Sequence, residues 1–295
     1  MADGALLLDK PLGLSSNAAL QRAKRALKAK KAGHAGTLDP LASGLLLVLV
    51  GEATKFAGPL LDADKEYLAT VRLGQRTSTG DAEGEVLETA SVPDRLAERI
   101  GPVLATFAGE IEQVPPMYSA LKHKGVPLYK HARRGESIDR PPRRVRIFEL
   151  ECLGVREPFL DLRVRCSKGT YIRTLAEDIG RALGTVAHLA ALRRTRSGGF
   201  SVDNGVALAT LEDMQEAARE RLLVPLARLL SELPRADLDP AAETRFRNGQ
   251  ALDFPAPEGL CAVYSANGSV IGIGRADTSG RLHPVRLVTS LSASG

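Results

Sequence analysis

The sequence contains no tryptophan, and aromatic side chains make up only 4% of its 295 residues. This scarcity argues against a platform of many exposed rings on which a nucleic-acid strand would stack. The three cysteines, Cys152, Cys166 and Cys261, are widely separated and form no C-x-x-C pair. Their spacing argues against a disulfide scaffold or a cysteine zinc site and is typical of a protein kept in a reducing cytosol.

Long apolar runs are also missing. The longest run, residues 45–50, is far too short to cross a bilayer, and the first residues lack the basic and apolar regions of a signal peptide. The apolar fraction of 44% and the charged fraction of 25% are those of a folded globular protein. We therefore expect a soluble, cytoplasmic chain that does not contact membranes.

Positive charge is concentrated in one segment. The formal net charge is +5, but residues 118–146 alone hold nine Lys and Arg against two acids, a local net charge of 9 − 2 = +7. The rest of the chain is therefore slightly acidic. Such a segment is typical of a surface that binds the phosphate backbone of a nucleic acid. A solvated loop whose charges have no partner is the alternative that charge alone leaves open.

Periodicity predicts a mixed fold. Alternating apolar residues predict strands at 67–73 and 160–166, and a stripe from Ile172 to Leu183 at spacings of three and four predicts a helix capped by Thr170. We expect a loop over 33–40 and one helix over 211–230. Residues 44–50 fit a helix start or a buried strand equally well.

The composition and the pattern of apolar residues change near the C-terminus. Residues 233–240 have the composition of a linker, and beyond them two short apolar runs flank Asn267-Gly268, a strong hairpin signal. The sequence therefore predicts a larger α/β part over residues 1–233 and a small β-rich module over residues 234–295.

Asp39 stands out in the loop at 33–40. It is flanked by Pro40, which disfavours helical geometry at the preceding residue, and the glycines at 33 and 36 leave the loop free to turn tightly. Local sequence fits a carboxylate held for chemistry, but it also fits a simple cap of the segment that follows.

The wider pattern favours chemistry. Six blocks resemble, in order, the motifs of the bacterial tRNA pseudouridine synthase B (TruB) family: LLDKPLGLSS at 7–16, GHAGTLDPLASG at 33–44, KEY with RLGQRTSTGD within 65–81, PPMYSALK with PLYKHARRG within 115–135, CSKGTYIRTL at 166–175 and HLAALRR at 188–194. The C-terminal part resembles a PUA-type RNA-binding module less specifically.

This resemblance implies a fold and an activity. We expect an α+β pseudouridine synthase fold, with a mixed and largely antiparallel sheet flanked by helices, followed by a PUA-like domain. The family converts uridine to pseudouridine at position 55 in the T loop of tRNA, by exchanging the glycosidic bond from N1 to C5. That isomerisation requires no redox step, so no cofactor and no metal are expected.

The resemblance also implies roles for particular residues. Asp39 matches the family's catalytic nucleophile, Arg173 the arginine that pairs with it, and Tyr67 the tyrosine that stacks on the extracted uracil. Attack on the base and attack on the sugar C1′ are both compatible with these residues. The residues expected to bind or support the RNA substrate are His34, Leu192, Lys10, Lys122, Lys130, Arg133 and Arg134.

Base flipping is required because the reacting atoms are otherwise covered by stacking. The insertion at about 115–146 is expected to grip the T arm, with the protein acting as a monomer and without a guide RNA. The competing hypotheses are a tRNA-folding chaperone, a guide-RNA-dependent relative of the archaeal and eukaryotic type, and a non-catalytic RNA binder.

Overall fold

The computed structural model describes residues 3–119, 121–255 and 257–289, which form two compact units. The first unit comprises the described residues of 1–38, 45–61 and 199–295, and the second comprises 39–44 and 62–198. The domain division predicted at residues 233 and 234 stays a prediction.

The helices of the described chain are short and are separated by many strands. They are α1 (Ser16–Ala26), α2 (Ala57–Asp62), α3 (Leu96–Ala105), α4 (Leu128–Ala132), α5 (Ile172–Ala182), α6 (Leu208–Asp213), α7 (Glu216–Glu220), α8 (Leu226–Leu229) and α9 (Pro240–Arg247), with 3₁₀ turns at Gly51–Phe56 and Val202–Asn204.

The strands up to residue 166 are β1 (Gly4–Lys10), β2 (Ala32–Ala35), β3 (Ala42–Val50), β4 (Lys65–Leu73), β5 (Gln75–Thr77), β6 (Val86–Thr89), β7 (Gly109–Gln113), β8 (Lys122–His123), β9 (Val126–Pro127), β10 (Arg143–Arg156) and β11 (Phe159–Cys166). The later strands are β12 (Ala187–Ser197), β13 (Phe200–Ser201), β14 (Val206–Ala207), β15 (Leu223–Val224), β16 (Arg235–Leu238), β17 (Leu252–Asp253), β18 (Gly259–Ser265), β19 (Val270–Ala276) and β20 (Arg281–Leu287).

A long sheet forms the framework of the second unit. Its order is β12, β4, β11, β10 and β7, all antiparallel, and the start of β3 (Ala42–Gly44) adds to β12 in parallel. The helices α3 and α5 pack on this sheet over one apolar core, which includes Leu162, Leu175 and Ile179. The alternation read from the sequence at 67–73 and 160–166 is therefore the alternation of two neighbouring strands.

The first unit contains two sheets. In one, β1 lies between β14 and the rest of β3, with β2 on β3 and β15 on β1. In the other, the order is β16, β18, β19, β20 and β17, and all of its strands come from the C-terminal part of the chain. The predicted α+β fold, with a mixed, largely antiparallel sheet and a small C-terminal β domain, is confirmed.

Local signals explain several elements. Ser15 caps α1 by accepting a hydrogen bond from the Ala18 N–H, the role that serine commonly has before a helix. The predicted hairpin joins β18 to β19, with Gly268 at φ +81°. The stripe of α5 is buried as predicted, because its apolar residues recur on the face that packs on the sheet.

Four local predictions are wrong. The predicted helix over 211–230 is three short helices and a strand, because Met214 and Pro225 have extended backbone that a continuous helix excludes. Thr170 does not cap α5, whose cap residue is Tyr171; the Thr170 hydroxyl donates to the Ser167 carbonyl instead.

The other two wrong predictions concern a predicted loop and a predicted linker. The expected loop over 33–40 begins inside β2, whose pairing with β3 depends on a distant strand rather than on local sequence. The predicted linker over 233–240 contains β16, which forms parallel pairs with β18. In both cases tertiary pairing decided the structure.

Candidate active site

Asp39 follows a residue that is held tightly at the end of the loop after β2. The Ser16 hydroxyl donates to the Leu38 carbonyl at 2.8 Å and accepts from the Leu38 N–H at 2.7 Å. Both Leu38 and Ser16 are buried. The backbone before Asp39 is therefore fixed, while the Asp39 side chain keeps 43% of its surface exposed.

Arg173 binds that carboxylate. Its Nη2 lies 2.9 Å from Asp39 Oδ2, and its Nη1 lies 3.5 Å from Asp81 Oδ2. The same guanidinium donates to the carbonyls of Tyr118 (2.6 Å) and Thr79 (3.2 Å). These four oxygen atoms hold the Arg173 guanidinium in place, and its side chain is only 7% exposed.

The position of Arg173 carries an electrostatic cost. It lies in the first turn of α5, where the helix dipole disfavours a cation. The carboxylates of Asp39 and the buried Asp81 offset that cost, and bonding to charged partners is stronger than bonding to neutral ones. The arrangement orients Asp39 and favours its ionised form, which is the form that a nucleophile needs.

Tyr67 lies on β4 directly opposite Arg194 on β12. Burial raises the pKa of the Tyr67 phenol, Arg194 opposes that rise by its charge and by a hydrogen bond to the hydroxyl, and the Asp39 charge adds to it. The phenol is therefore protonated at neutral pH and lies within the electrostatic reach of Asp39. Burial also raises the pKa of the Tyr171 phenol, and Asp39 contributes in the same direction.

A second buried cation accompanies Arg194. Burial and the charge of Arg194 lower the pKa of Lys65 to about 8, and its ammonium group donates to the Ala63 carbonyl. Burial raises the pKa of the neighbouring Cys166 thiol to about 12, so this thiol stays neutral and unreactive. The site thus combines two tyrosines, buried cations and one accessible carboxylate.

Sequence reasoning missed three of these residues. Asp81, Arg194 and Tyr171 lie within the family motifs, but the sequence analysis assigned no role to any of them. No local pattern marks Arg194, because its burial at 1% exposure depends on the pairing of β12 with β4 and β3.

The other predicted site residues are divided between the two units. Leu192 lies on β12 and packs against the core of the second unit. His34 lies on β2 of the first unit, paired with Val48. Lys10 lies in the first unit at the end of β1; it is fully buried and donates to the carbonyls of Pro11 (2.9 Å) and Leu14 (2.7 Å). These contacts hold the turn after β1, so Lys10 stabilises structure there.

The predicted RNA-binding residues lie in the segment that joins β7 to β10. This segment holds a two-strand hairpin, β8 with β9, followed by α4. Lys122, Lys130, Arg133 and Arg134 are all exposed. Their side chains are therefore available to an anionic partner.

A cavity of about 430 Å³ lies in the second unit beside the Arg173 anchor points, and Thr79 and Tyr118 are among its lining residues. Across residues 3–119, 121–255 and 257–289, no cluster of three or more His, Cys, Asp or Glu side chains could hold a metal ion. None of the helices in the described part of the chain is long and apolar enough to span a membrane.

Three family models match the chain. They are the TruB family pseudouridylate synthase N-terminal domain over residues 24–172, the tRNA pseudouridylate synthase B C-terminal domain over 173–235, and the pseudouridine synthase II TruB C-terminal domain over 234–288. The first model alone covers half of the chain.

Curated relatives agree with these models. The chain is 53% identical to a tRNA pseudouridine synthase B of Dechloromonas aromatica, covering 97% of this chain and 95% of the relative. It is 52% identical to that of Aromatoleum aromaticum, covering 100% and 95%.

Solved structures are similar as well. A Cbf5-Nop10-Gar1 complex contains a chain with a TM-score of 0.75 and 28% identity, covering 97% of this chain and 84% of the other. An H/ACA RNP bound to a substrate RNA containing 2′-deoxyuridine contains one with a TM-score of 0.74 and 27% identity, covering 97% and 85%. From the matched models, the identity over nearly full length and the shared fold, this chain belongs to the TruB family of pseudouridine synthases.

Proposed function

We propose that this chain isomerises uridine to pseudouridine at position 55 in the T loop of tRNA, as a monomeric cytoplasmic enzyme that uses neither a guide RNA nor a cofactor. The observation that carries the proposal is the ion pair between Asp39 and Arg173 at 2.9 Å in a member of this family. Relatives named for the tRNA reaction are 53% identical, whereas the chain of the Cbf5 complex is 28% identical.

The proposed chemistry starts with extraction of the target nucleotide, which exposes its reacting atoms to Asp39. Asp39 acts as the covalent nucleophile: its carboxylate forms a bond to the substrate that breaks again before the product leaves, and this divides one bond exchange into easier steps. The N1–C1′ bond breaks, the uracil rotates, and a C5–C1′ bond forms; the C5 proton leaves and N1 gains a proton, so atoms and charge balance.

The other side chains hold the reactants. Arg173 fixes the carboxylate of Asp39 through a charge-assisted bond, and Tyr67 presents its ring for stacking on the uracil. Arg194 supplies a fixed positive charge at the Tyr67 hydroxyl. Leu192 provides an apolar contact near the base.

Substitution of the nucleophile tests the proposal. Asp39→Asn keeps the side-chain volume but removes the nucleophilic charge, so we expect pseudouridine formation to fall by at least about 10⁴-fold while tRNA binding persists. The measurement is mapping of pseudouridine in T-arm RNA, with binding followed by filter retention.

Asp62→Asn, a change of an exposed carboxylate in the same unit, is the matched control and should leave turnover intact. Substantial turnover by Asp39→Asn would contradict the proposal. Comparing tRNA maturation in the presence of the two variants separates catalysis from a tRNA-folding role.

A further inference from the structure

Glu136 is an unexpected residue in a surface proposed to bind phosphates. Residues 118–146 contain nine Lys and Arg and only two acids, of which Glu136 is one. A carboxylate here repels the phosphates of the RNA backbone. The Glu136 carboxylate contacts a neighbouring side chain: its Oε2 atom meets the Nδ1 atom of His131. This pair is separate from the residues proposed above for catalysis.

The backbone shows what this contact closes. After α4 the chain turns back, with the N–H of Arg134 and the N–H of Glu136 both donating to the His131 carbonyl at 2.9 and 3.1 Å. Gly135 adopts φ +74°, a conformation that favours glycine and lets the chain reverse. Glu136 therefore binds His131 twice, through its backbone and through its side chain, and closes the turn 131–136.

The two sides of the contact differ in exposure. The His131 side chain is 14% exposed and that of Glu136 is 45% exposed. His131 Nε2 is buried and has no hydrogen-bond partner among the residues that the structure describes. A proton on Nδ1 fits this geometry, because Nδ1–H then donates to Glu136 and no unpaired N–H is buried at Nε2.

The contact also ties the turn to the rest of the segment. The His131 ring meets the His123 ring edge-on, with centroids 6.1 Å apart, and His123 lies on the hairpin strand that also carries Lys122. The hydrogen bond from His131 and, less strongly, the charge of Arg134 lower the pKa of Glu136, so its carboxylate is charged at neutral pH.

The apex of the turn carries the arginines. Arg133 and Arg134 are exposed between the two ends of the contact, and the Arg133 guanidinium lies 5.6 Å from the centre of the Tyr129 ring. A flexible turn would lose conformational entropy on binding RNA, whereas a closed turn has already lost it.

We propose that the pair of His131 and Glu136 is a clasp that closes the turn 131–136 and positions Arg133 and Arg134 for the phosphate backbone of the RNA substrate. This inference rests on the proposed function, because it takes the segment to be the RNA-binding surface. His131 and Glu136 are positioning residues; they do not bind the phosphates themselves.

Charge and positioning predict opposite results for one substitution. Glu136→Ala removes a negative charge, so an acid without a structural role would give tighter tRNA binding once it is removed. The clasp predicts weaker binding, on the order of fivefold, which is the scale of losing well-placed phosphate contacts. The loss should fall on KM for tRNA much more than on kcat.

Four further variants make the test specific: Asp139→Ala, Glu136→Gln, His131→Ala, and His131→Ala combined with Glu136→Ala. Asp139→Ala makes the same charge change at an exposed acid three residues away and should leave binding unchanged or tighter. Glu136→Gln keeps an acceptor for His131 Nδ1–H and should recover most of the wild-type affinity. The double variant His131→Ala with Glu136→Ala should bind no worse than either single variant, since both remove the same contact.

Direct tRNA binding, measured by fluorescence anisotropy, keeps the outcomes distinguishable. Tighter or unchanged binding by Glu136→Ala would overturn the clasp even if pseudouridine is formed. If neutralising Arg133 and Arg134 leaves binding unchanged, the clasp is also overturned, because nothing remains for it to position. Absence of pseudouridine with the wild-type protein would instead count against the proposed function.

Discussion

Lys65 and Arg194 bring two positive charges to neighbouring strands inside the second unit, and both side chains are buried. Buried cations lose hydration, which disfavours their charged forms. The group with the lower pKa then loses its proton first. An arginine stays protonated under all ordinary conditions, so Lys65 is the residue that responds. At the residue scale, the site therefore contains an amine whose charge can be removed near pH 8.

This shift predicts a pH dependence of stability. The pKa of Lys65 falls from 10.5 to about 8 in the folded protein, so between these values the unfolded chain binds more protons than the folded chain. Stability attributable to Lys65 therefore rises with pH across this window. Relative to Lys65→Met, the wild-type free energy of unfolding should increase by about 2 kcal/mol between pH 7 and pH 9.5.

Urea unfolding of both proteins at several pH values measures this difference. Lys168→Met, at an exposed lysine of the same unit, is the control and should show no such rise. A difference between wild type and Lys65→Met that does not change over the window would mean that Lys65 titrates normally.

At the scale of elements, the site depends on how closely β3 and β12 approach. Gly44 pairs with Arg194 and has φ +98°. A Cβ at this position would lie 2.2 Å from the Arg194 carbonyl oxygen, a backbone atom that cannot move without moving the strand. The glycine therefore lets the two strands pair beside the residue that contacts Tyr67.

Gly44→Ala should consequently be destabilising. Strain at positive φ and a clash with backbone together predict a loss of about 2–4 kcal/mol in the free energy of unfolding, accompanied by loss of pseudouridine formation. Gly154→Ala is the matched control: nothing lies within 4 Å of its Cβ position, and its stability should change by less than about 0.5 kcal/mol. Equal stabilities of the two variants would show that the strands can separate without cost.

At the scale of the whole molecule, the distribution of charge matters more than its sum. The net charge of +5 hides an uneven distribution, since residues 118–146 carry a net charge of +7 and the remainder of the chain is slightly acidic. The structure places Lys122, Lys130, Arg133 and Arg134 at exposed positions in this segment. Elsewhere in the same unit, partly exposed arginines pair with acids, as in the pair of Arg165 and Glu149 at 2.7 Å.

This contrast predicts a difference in salt dependence. Replacing Lys122, Lys130, Arg133 and Arg134 with Gln should reduce the slope of log affinity for tRNA against log salt by about three, because each phosphate contact contributes roughly 0.7–0.9. The slope is measured by binding titrations from low to moderate salt.

The control removes similar charge from ion-paired positions. Gln at Arg156, Arg163 and Arg165, which pair with Asp161, Glu151 and Glu149, should leave the slope nearly unchanged. Equal slopes for wild type and the first variant would remove the segment from the RNA interface.

Local sequence was sufficient where a short stretch contains its own pattern. The stripe of α5, the cap at Ser15 and the turn at Gly268 each depend on residues a few positions apart. The family motifs also singled out Asp39, Tyr67 and Arg173; the structure joins Asp39 to Arg173 by an ion pair, and their catalytic roles stay predictions. Local sequence was insufficient for residues 211–230. There the extended backbone at Met214 and Pro225 interrupts the helix that the apolar residues between them had suggested.

The sequence by itself determined the family, the strands and helices with clear periodicity, and the concentration of charge at 118–146. Only the tertiary structure decided that Arg194 is buried beside Tyr67, that Asp81 shares Arg173 with Asp39, and that Glu136 closes a turn with His131. The physical reason is distance along the chain. Strand pairing and ion pairing join residues that are far apart in sequence, and local periodicity contains no information about their partners.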